Sequence, residues 1–480
     1  MNSARPHSPR WLLPAAATLI WPAVIAWAPV RPVAAQSVWE LTPYRIQLIP
    51  AVGPAPELTP ALQEDLSADL LLRIDALVGA PWDVTIATAT PALRRAMIAD
   101  VEAVAVEALL EDSLQFDKVM LLAVLPAPTG YLVAARDLDV RTRTWNTVVR
   151  VPVWQAAKLR DAAFHAVRKA FAPLAQIALS EDEGVTLRLR AAGLPTRDES
   201  VTLVAAGDLF RPVVRYDDRE GNVLRVVLTP WTFLSVQQVS GAELSCKLHT
   251  GLRSPLSGRR RGNVEQLALA VVPPRGPTRL ILVSRTDPDQ VLAGYDVYDQ
   301  SPDSKATELL GRSDRQGGLT IRPGADPLRV LLVKHGGALL ARLPLVPGLD
   351  KEISATVPND DQRLEAEGFI LGLQEDLVDL VTRREVLLAQ ARARLNAKEL
   401  DEADTLVRQL QRLKTRDQFA RELDQEKDKI YSDDAAVQRQ IDSMFDSTKK
   451  LLKEHLDPKV IENLSDELAR VRSAREAAGS

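Results

Sequence analysis

Two runs decide the fold: Lys118-Val-Met-Leu-Leu-Ala-Val124 and, after a turn at Gly130, Tyr131-Leu-Val-Ala-Ala-Arg-Asp-Leu-Asp139. The first is short and almost wholly apolar, which suits a strand covered on both faces. The second is extended, and Thr144 to Val151 predicts a further strand. Toward the amino terminus, Tyr44-Arg-Ile-Gln-Leu-Ile49 alternates like a strand, and Trp82-Asp-Val-Thr-Ile86 is another. Between them Leu62, Leu66, Leu70, Ile74 and Leu77 recur at spacings of four and three, a helix with Thr59 at its cap and Pro60 in first position. Thr90-Pro91 opens a second helix toward Leu110, and Leu159, Phe164, Val167 and Phe171 mark a last one. The order over residues 43–178 is β-α-β-α-β-β-β-α, an α/β domain.

Tyr131–Asp139, leading through Thr142 into the next strand, resembles the amino-terminal domain of TolB-type proteins. It is also similar to curli-secretion and penicillin-binding-protein-activator lipoproteins, where a "gadyvl…y.v..rlvD..tg" pattern joins the corresponding strands. Arg143 stands where those families often place glycine. The resemblance implies a docking domain without catalysis of its own.

Downstream, residues 183–289 read as short strands between turns. Val185 to Arg190 alternates, Asp217-Asp-Arg-Glu-Gly221 is a hairpin tip, and Thr278 to Val283 is another strand. A small barrel or sandwich is expected. Residues 290–358 carry Ser313-Asp-Arg-Gln-Gly-Gly-Leu-Thr-Ile321 and a hairpin with its tip at His335-Gly-Gly337. In the first of these, Asp314 can accept backbone N–H groups across a turn, and Gly317 can take positive φ before the strand. This stretch resembles the turn and strand of carboxypeptidase-regulatory-like, transthyretin-like sandwiches, with serine for the usual threonine. The resemblance implies a structural or adhesive module without an active site.

Composition changes near residue 360. Residues 361–480 hold 47 charged residues and one proline, against 77 and 31 in the preceding 360, so the back quarter is helical. Ile370, Leu373, Leu377, Leu380, Leu387 and Ala391 form a heptad seam interrupted by Arg384; it stops at Arg394 or slips to Leu395. Leu395 to Ala403 resembles the turn of a tetratricopeptide-type hairpin, but no repeat recurs. A third helix is predicted from Arg416 to Leu456 and a fourth after Asp457-Pro458. The seam must be buried, and a bundle of the four helices within the chain is expected, the alternative being another chain. We place the main partner surface in this region. The predicted class is multidomain α+β: signal 1–35, docking-type domain 36–180, β-rich domain 181–289, sandwich 290–358, and a helical hairpin or bundle 359–480.

Residues 1–35 read as an export signal. Arg5, His7 and Arg10 precede the apolar run Trp11–Val30, and Val33 and Ala35 suit a peptidase before Gln36. The alternative is an uncleaved anchor, which Pro14, Pro22 and Pro29 disfavour. Membrane contact is expected only if the signal stays on. The expected location is periplasmic or extracellular. One cysteine excludes an intramolecular disulfide framework, and five scattered histidines argue against a histidine-built metal centre. Cys246, between Leu244 and Leu248, reads as a buried strand position. Net charge is −4, and −7 without residues 1–35, which argues against general nucleic-acid binding.

No catalytic, metal or cofactor residue is assigned. Asp137 and Asp139 share one strand face beside Arg141, a paired-carboxylate candidate. We favour a solvated face with cross-strand ion pairs. Arg253, Arg259, Arg260 and Arg261 bracket a loop from Thr250 to Gly262, a polyanion-binding candidate; the plainer reading is a solvated loop paired with acids such as Glu265. Ser447 to Lys450 matches S-x-x-K by chance on a charged helix. The expected function is an exported, non-catalytic scaffold of the cell envelope with a protein partner. The alternatives are a polyanion or glycan binder using the Arg259–Arg261 loop, and an enzyme with its site in 43–178. Oligomeric state stays open.

Overall fold

The computed structural model describes residues 38–179, 184–252, 255–256, 263–301 and 306–478. The expected export signal lies outside them. After a short helix α1 (Val38–Leu41), the front domain contains β1 (Tyr44–Val52), α2 (Pro60–Arg73), β2 (Trp82–Ile86), α3 (Pro91–Asp100), α4 (Glu107–Ser113), β3 (Lys118–Ala127), β4 (Gly130–Asp139), β5 (Thr144–Trp145), β6 (Val149–Val153) and α5 (Leu159–Ala170). β1 pairs in parallel with β2 and β3, β4 is antiparallel to β3, and β5 and β6 share the outer edge of β4. Lys118 to Val124 is buried throughout because helices cover both faces. Leu66 and Leu70 of α2 and Phe164 and Val167 of α5 pack on one side; Met97 of α3 and Leu109 of α4 pack on the other. Thr59 caps α2 by accepting the Leu62 N–H at 3.2 Å, and Thr90 does the same for Leu93. The single strand predicted over Thr144–Val151 is broken at Asn146–Val148, whose polar groups turn onto the next domain. Arg143 has φ +50°, the left-handed conformation for which glycine is the easier residue.

The second domain comprises β7 (Leu174–Leu179), β8 (Val185–Leu189), β9 (Leu209–Asp217), β10 (Val223–Leu228), β11 (Thr232–Ser240), β12 (Glu243–Thr250) and β13 (Asn263–Val271). The order is β9-β11-β12-β8-β7-β13, and β13 returns to β9, closing six strands into a barrel with β10 as an appended hairpin strand. Closure removes the exposed edges that so many short strands would leave. Val185, Leu187, Phe210, Leu234, Leu244 and Cys246 fill it. β7, from the stretch read as front domain, is hydrogen-bonded to β8 and β13.

The third domain holds β14 (Thr278–Ser284), β15 (Asp296–Gln300), β16 (Thr307–Arg312), β17 (Gly318–Ile321), β18 (Arg329–His335), β19 (Ala338–Leu345) and β20 (Glu352–Val357). Two sheets, β17-β14-β20 and β16-β15-β18-β19, pack around Leu280, Leu282, Tyr295, Val297, Leu331 and Val333. β14, read as the end of the preceding module, runs parallel to β20.

The back quarter is α6 (Asp361–Asn396), α7 (Leu400–Gln411), α8 (Arg416–Lys427), α9 (Ala435–His455) and α10 (Lys459–Ala478). The seam on α6 is buried within the chain in two halves. Ile370, Leu373 and Leu377 lie under Phe419, Leu423, Ile441 and Phe445, whereas Leu388, Ala391 and Leu395 lie under Leu400, Val407, Leu410, Leu464 and Leu468. Arg384 sits where one cluster gives way to the other and donates to the Asp457 carbonyl at the end of α9. The third helix predicted from Arg416 to Leu456 is two helices, because Asp434 starts a new one by accepting the N–H groups of Ala436 and Val437. The base of α6 is fixed to the sandwich. Tyr295 Oη accepts the Asp360 N–H at 2.9 Å, Arg363 forks onto Asp360 at 2.7 and 2.8 Å, and His335 stacks on Tyr295 at 4.0 Å.

Candidate functional site

Period two along β4 puts Asp137 and Asp139 on one face. The antiparallel register sets Lys118 opposite Asp139, with Met120 opposite Asp137. Lys118 Nζ lies 3.2 Å from Asp137 Oδ2 and 2.9 Å from Asp139 Oδ2. The face is not solvated: the three side chains are between 0 and 2% exposed. The covering element is the link between α5 and β7. Lys118 donates to the Ala172 carbonyl, and the Ala172 N–H donates to Asp137 at 2.9 Å. Asp139 accepts the Thr142 N–H and hydroxyl, each at 2.7 Å. The rings of Phe171 and Tyr44 stand 5.5 and 5.9 Å from the ammonium.

One ammonium thus serves two carboxylates. Burial opposes its charge, but Asp137 and Asp139 together outweigh burial and raise the Lys118 pKa. Asp137 is the less compensated acid. Burial pushes it up to about 6, against the pull of Lys118 and the Ala172 N–H, and among the described residues its Oδ1 has no hydrogen-bond partner. Sequence reasoning missed Lys118 because it counted this residue as the start of an apolar strand. A lone lysine heading an apolar run, one strand before two aspartates of like spacing, was the available signal.

Further charged groups join the front domain to the barrel. Arg190 pairs with Asp117 at 2.7 Å and lies over the rings of Trp39 and Tyr44. Arg141 does not extend the Asp137–Asp139 face; it forks onto Glu265 of β13. Glu265 is therefore committed to the domain joint. Asn146 and Thr147 bond the backbone of Ala270 and Val272 at the end of β13.

Beside this joint is a cleft of 880 Å³ between the front domain, the Val272–Pro277 linker and the Gly348–Lys351 loop of the sandwich. Arg136, Arg150, Lys169, Arg275 and Lys351 line it, with His165 and one acid, Glu102. Glu102 pairs with Arg150 at 2.9 Å and with Lys351 at 3.2 Å, bridging front domain and sandwich. Arg150 and then Lys351 hold its carboxyl below the usual range, against burial. Nothing in the sequence pattern joined these residues.

Arg253, Arg259, Arg260 and Arg261, the polyanion candidates, lie outside the described residues. Asp314 and Gly317 form the sandwich turn. Asp314 Oδ1 accepts the N–H groups of Gln316 and Gly318, each at 2.8 Å, and Gly318 first, then Gln316, lowers the Asp314 pKa. Gly317 has φ +71°, and a Cβ there would stand 2.6 Å from the Leu282 carbonyl. Cys246 is buried in the barrel, and burial pushes its thiol up to about 12. Ser447 donates to the Ser443 carbonyl. Among the described residues, no group of three His, Cys, Asp or Glu side chains is placed to hold a metal, and no helix is long and apolar enough to cross a membrane.

No protein-family model matches the chain, and no curated protein matches it significantly. Among solved structures it is similar to TolB from Acinetobacter baumannii at 10% identity, covering 64% of this chain and 83% of that one with a TM-score of 0.17. It is also similar to the Bacillus anthracis TIE protein at 10% identity, covering 44% of this chain and 46% of that one with a TM-score of 0.14.

Proposed function

We propose that the chain is an exported, non-catalytic interaction protein of the bacterial cell envelope, its front domain a docking module and its sandwich a structural spacer. The Lys118–Asp137–Asp139 cluster supports this reading most. The charged groups best suited to chemistry by residue type are sealed from solvent and tie the front domain to the chain entering the barrel. A catalytic carboxylate must meet its substrate, and these meet only protein. The partner surface we propose is the outer face of α6. Leu371, Val378 and Val386 recur there at spacings of seven and eight and are 55, 64 and 51% exposed, while the seam is covered from within.

The test is crosslinking capture from the native envelope with the wild-type chain and with Leu371→Glu/Val378→Glu/Val386→Glu. Loss of the captured partner with an unchanged circular dichroism spectrum is the expected result. Equal capture by the two proteins would place the interaction elsewhere and overturn the α6 assignment.

A further inference from the structure

We propose that the cleft between front domain and sandwich binds a small polyanion, a molecule carrying two or more carboxylate or phosphate groups. The proposal stands independently of the envelope reading above. In a chain of net charge −4, the cleft gathers five basic side chains and one acid. Lys169 and Arg275 are exposed, and among the described residues neither has a carboxylate partner. Like charges assembled at one concavity raise the local potential and concentrate counter-ions there.

The walls are built before any ligand arrives. Arg136 is partly buried and fixed by three carbonyls, those of Glu102 at 2.7 Å, Asn146 at 3.2 Å and Val101 at 3.3 Å, with its guanidinium 4.5 Å over the Trp145 ring. Among the described residues no carboxylate forms an ion pair with it, and the charges of Glu102 and Asp100 act on it only at longer range, so its charge is held in place and only partly offset. Pro152, Pro273, Pro274 and Pro277 stiffen the facing segments. Gly348, at φ +84°, lets the sandwich loop approach the linker: a Cβ there would lie 2.6 Å from the Gly276 carbonyl. Glu102 pairs with Arg150 of the front domain and Lys351 of the sandwich and, among the described residues, is the only acid lining the cleft; Asp100, which does not line it, also lies 3.6 Å from Arg150.

The size selects the ligand. A cavity of 880 Å³ falls within the range of roughly 300–1,000 Å³ typical of small-molecule sites, at a junction of domains where such sites concentrate. Cations come from β4, β6, α5, the linker and the sandwich loop, so one anionic group meets only part of the set. Two or more groups on one molecule engage several of them at once.

Isothermal titration calorimetry of the purified chain with tripolyphosphate and, separately, with citrate tests the site and distinguishes phosphate from carboxylate recognition. Saturable one-to-one binding of at least one of them is expected. Lys169→Glu/Arg275→Glu should weaken it about tenfold or more at low salt. Glu102→Gln removes the acid of the cleft, frees Lys351 and leaves Arg150 only its 3.6 Å pair with Asp100, and should tighten it. Arg439→Glu/Lys453→Glu, an equal charge change on the exposed face of α9, should leave it unchanged. No saturable binding of either anion would overturn the proposal. So would equal weakening by the α9 control, or a Glu102→Gln variant that binds no more tightly than wild type.

Discussion

Lys118→Met removes the cation and leaves the strand's apolar contacts nearly intact. Asp137 and Asp139, at 1 and 2% exposure, would then face each other without a counter-charge, and the Ala172 carbonyl would lose its donor. Removing one partner from a buried ion pair costs about 3–5 kcal/mol, most of it the desolvation of the charge left behind. Against a typical domain stability of about 5–15 kcal/mol, this brings the front domain close to its unfolding threshold. Beyond residue 35 the five tryptophans all fall between Trp39 and Trp231, so urea unfolding followed by tryptophan fluorescence reports mainly on the front domain and barrel, with Trp231 also packed against the sandwich core. The midpoint should fall by an amount that, multiplied by the slope, gives about 4 kcal/mol. Lys118→Met/Asp137→Asn/Asp139→Asn should recover most of the loss, since the amide oxygens still accept the N–H groups of Ala172 and Thr142 and no charge is stranded. A single variant within about 1 kcal/mol of wild type would refute the buried-triad account, as would a triple variant no better than the single.

The raised Asp137 pKa has a signed consequence. Its folded value of about 6 exceeds the ordinary 3.8, so the folded state binds the extra proton between those values. The stability it confers is present below about pH 4 and lost as pH rises through about 6, up to about 3 kcal/mol, and Asp137→Asn should flatten that dependence in the same fluorescence assay. In the sandwich, Asp314→Ala should speed amide exchange at Gln316 and Gly318 about tenfold, read by hydrogen-exchange mass spectrometry. Gly317→Ala, which meets both positive φ and the Leu282 carbonyl, should destabilise the same segment by about 1–3 kcal/mol; protection equal to wild type would count against the turn geometry. Tyr295→Phe strips the acceptor from the Asp360 N–H and should cost about 1–2 kcal/mol, seen as faster exchange and proteolysis around residues 358–363 with the distal helices unaffected.

Much of the local structure was legible because it depends on neighbours in sequence. Thr59-Pro60 and Thr90-Pro91 start helices through bonds three residues long, and Asp314 closes its turn within four. Period two and period four also reported which faces are apolar. The break at Asp434 was missed because the stripe Phe419, Leu423, Ile430, Val437, Ile441, Phe445 continues across it; periodicity records burial, and burial persists through a change of helix.

The candidate sites show the opposite limit. Asp137 and Asp139 were found, but whether they face water depended on Ala172, 35 residues on, and on Lys118 across the register. The α6 seam demanded a cover, and its sequence could not choose between α7–α10 and another chain, since a leucine stripe is satisfied equally by either. The basic cleft draws on Arg136, Lys169, Arg275 and Lys351, spread over more than 200 residues and carrying no common pattern. The sequence by itself determined the type of the long periodic segments, the caps and turns at Thr59, Thr90 and Asp314, and the change from β-rich to helical near residue 360. Only the tertiary structure decided barrel closure, the burial of the charged triad and the gathering of the cleft. Those rest on contacts between distant segments, where geometry decides whether a charge is screened by water, paired inside protein, or left facing an open space.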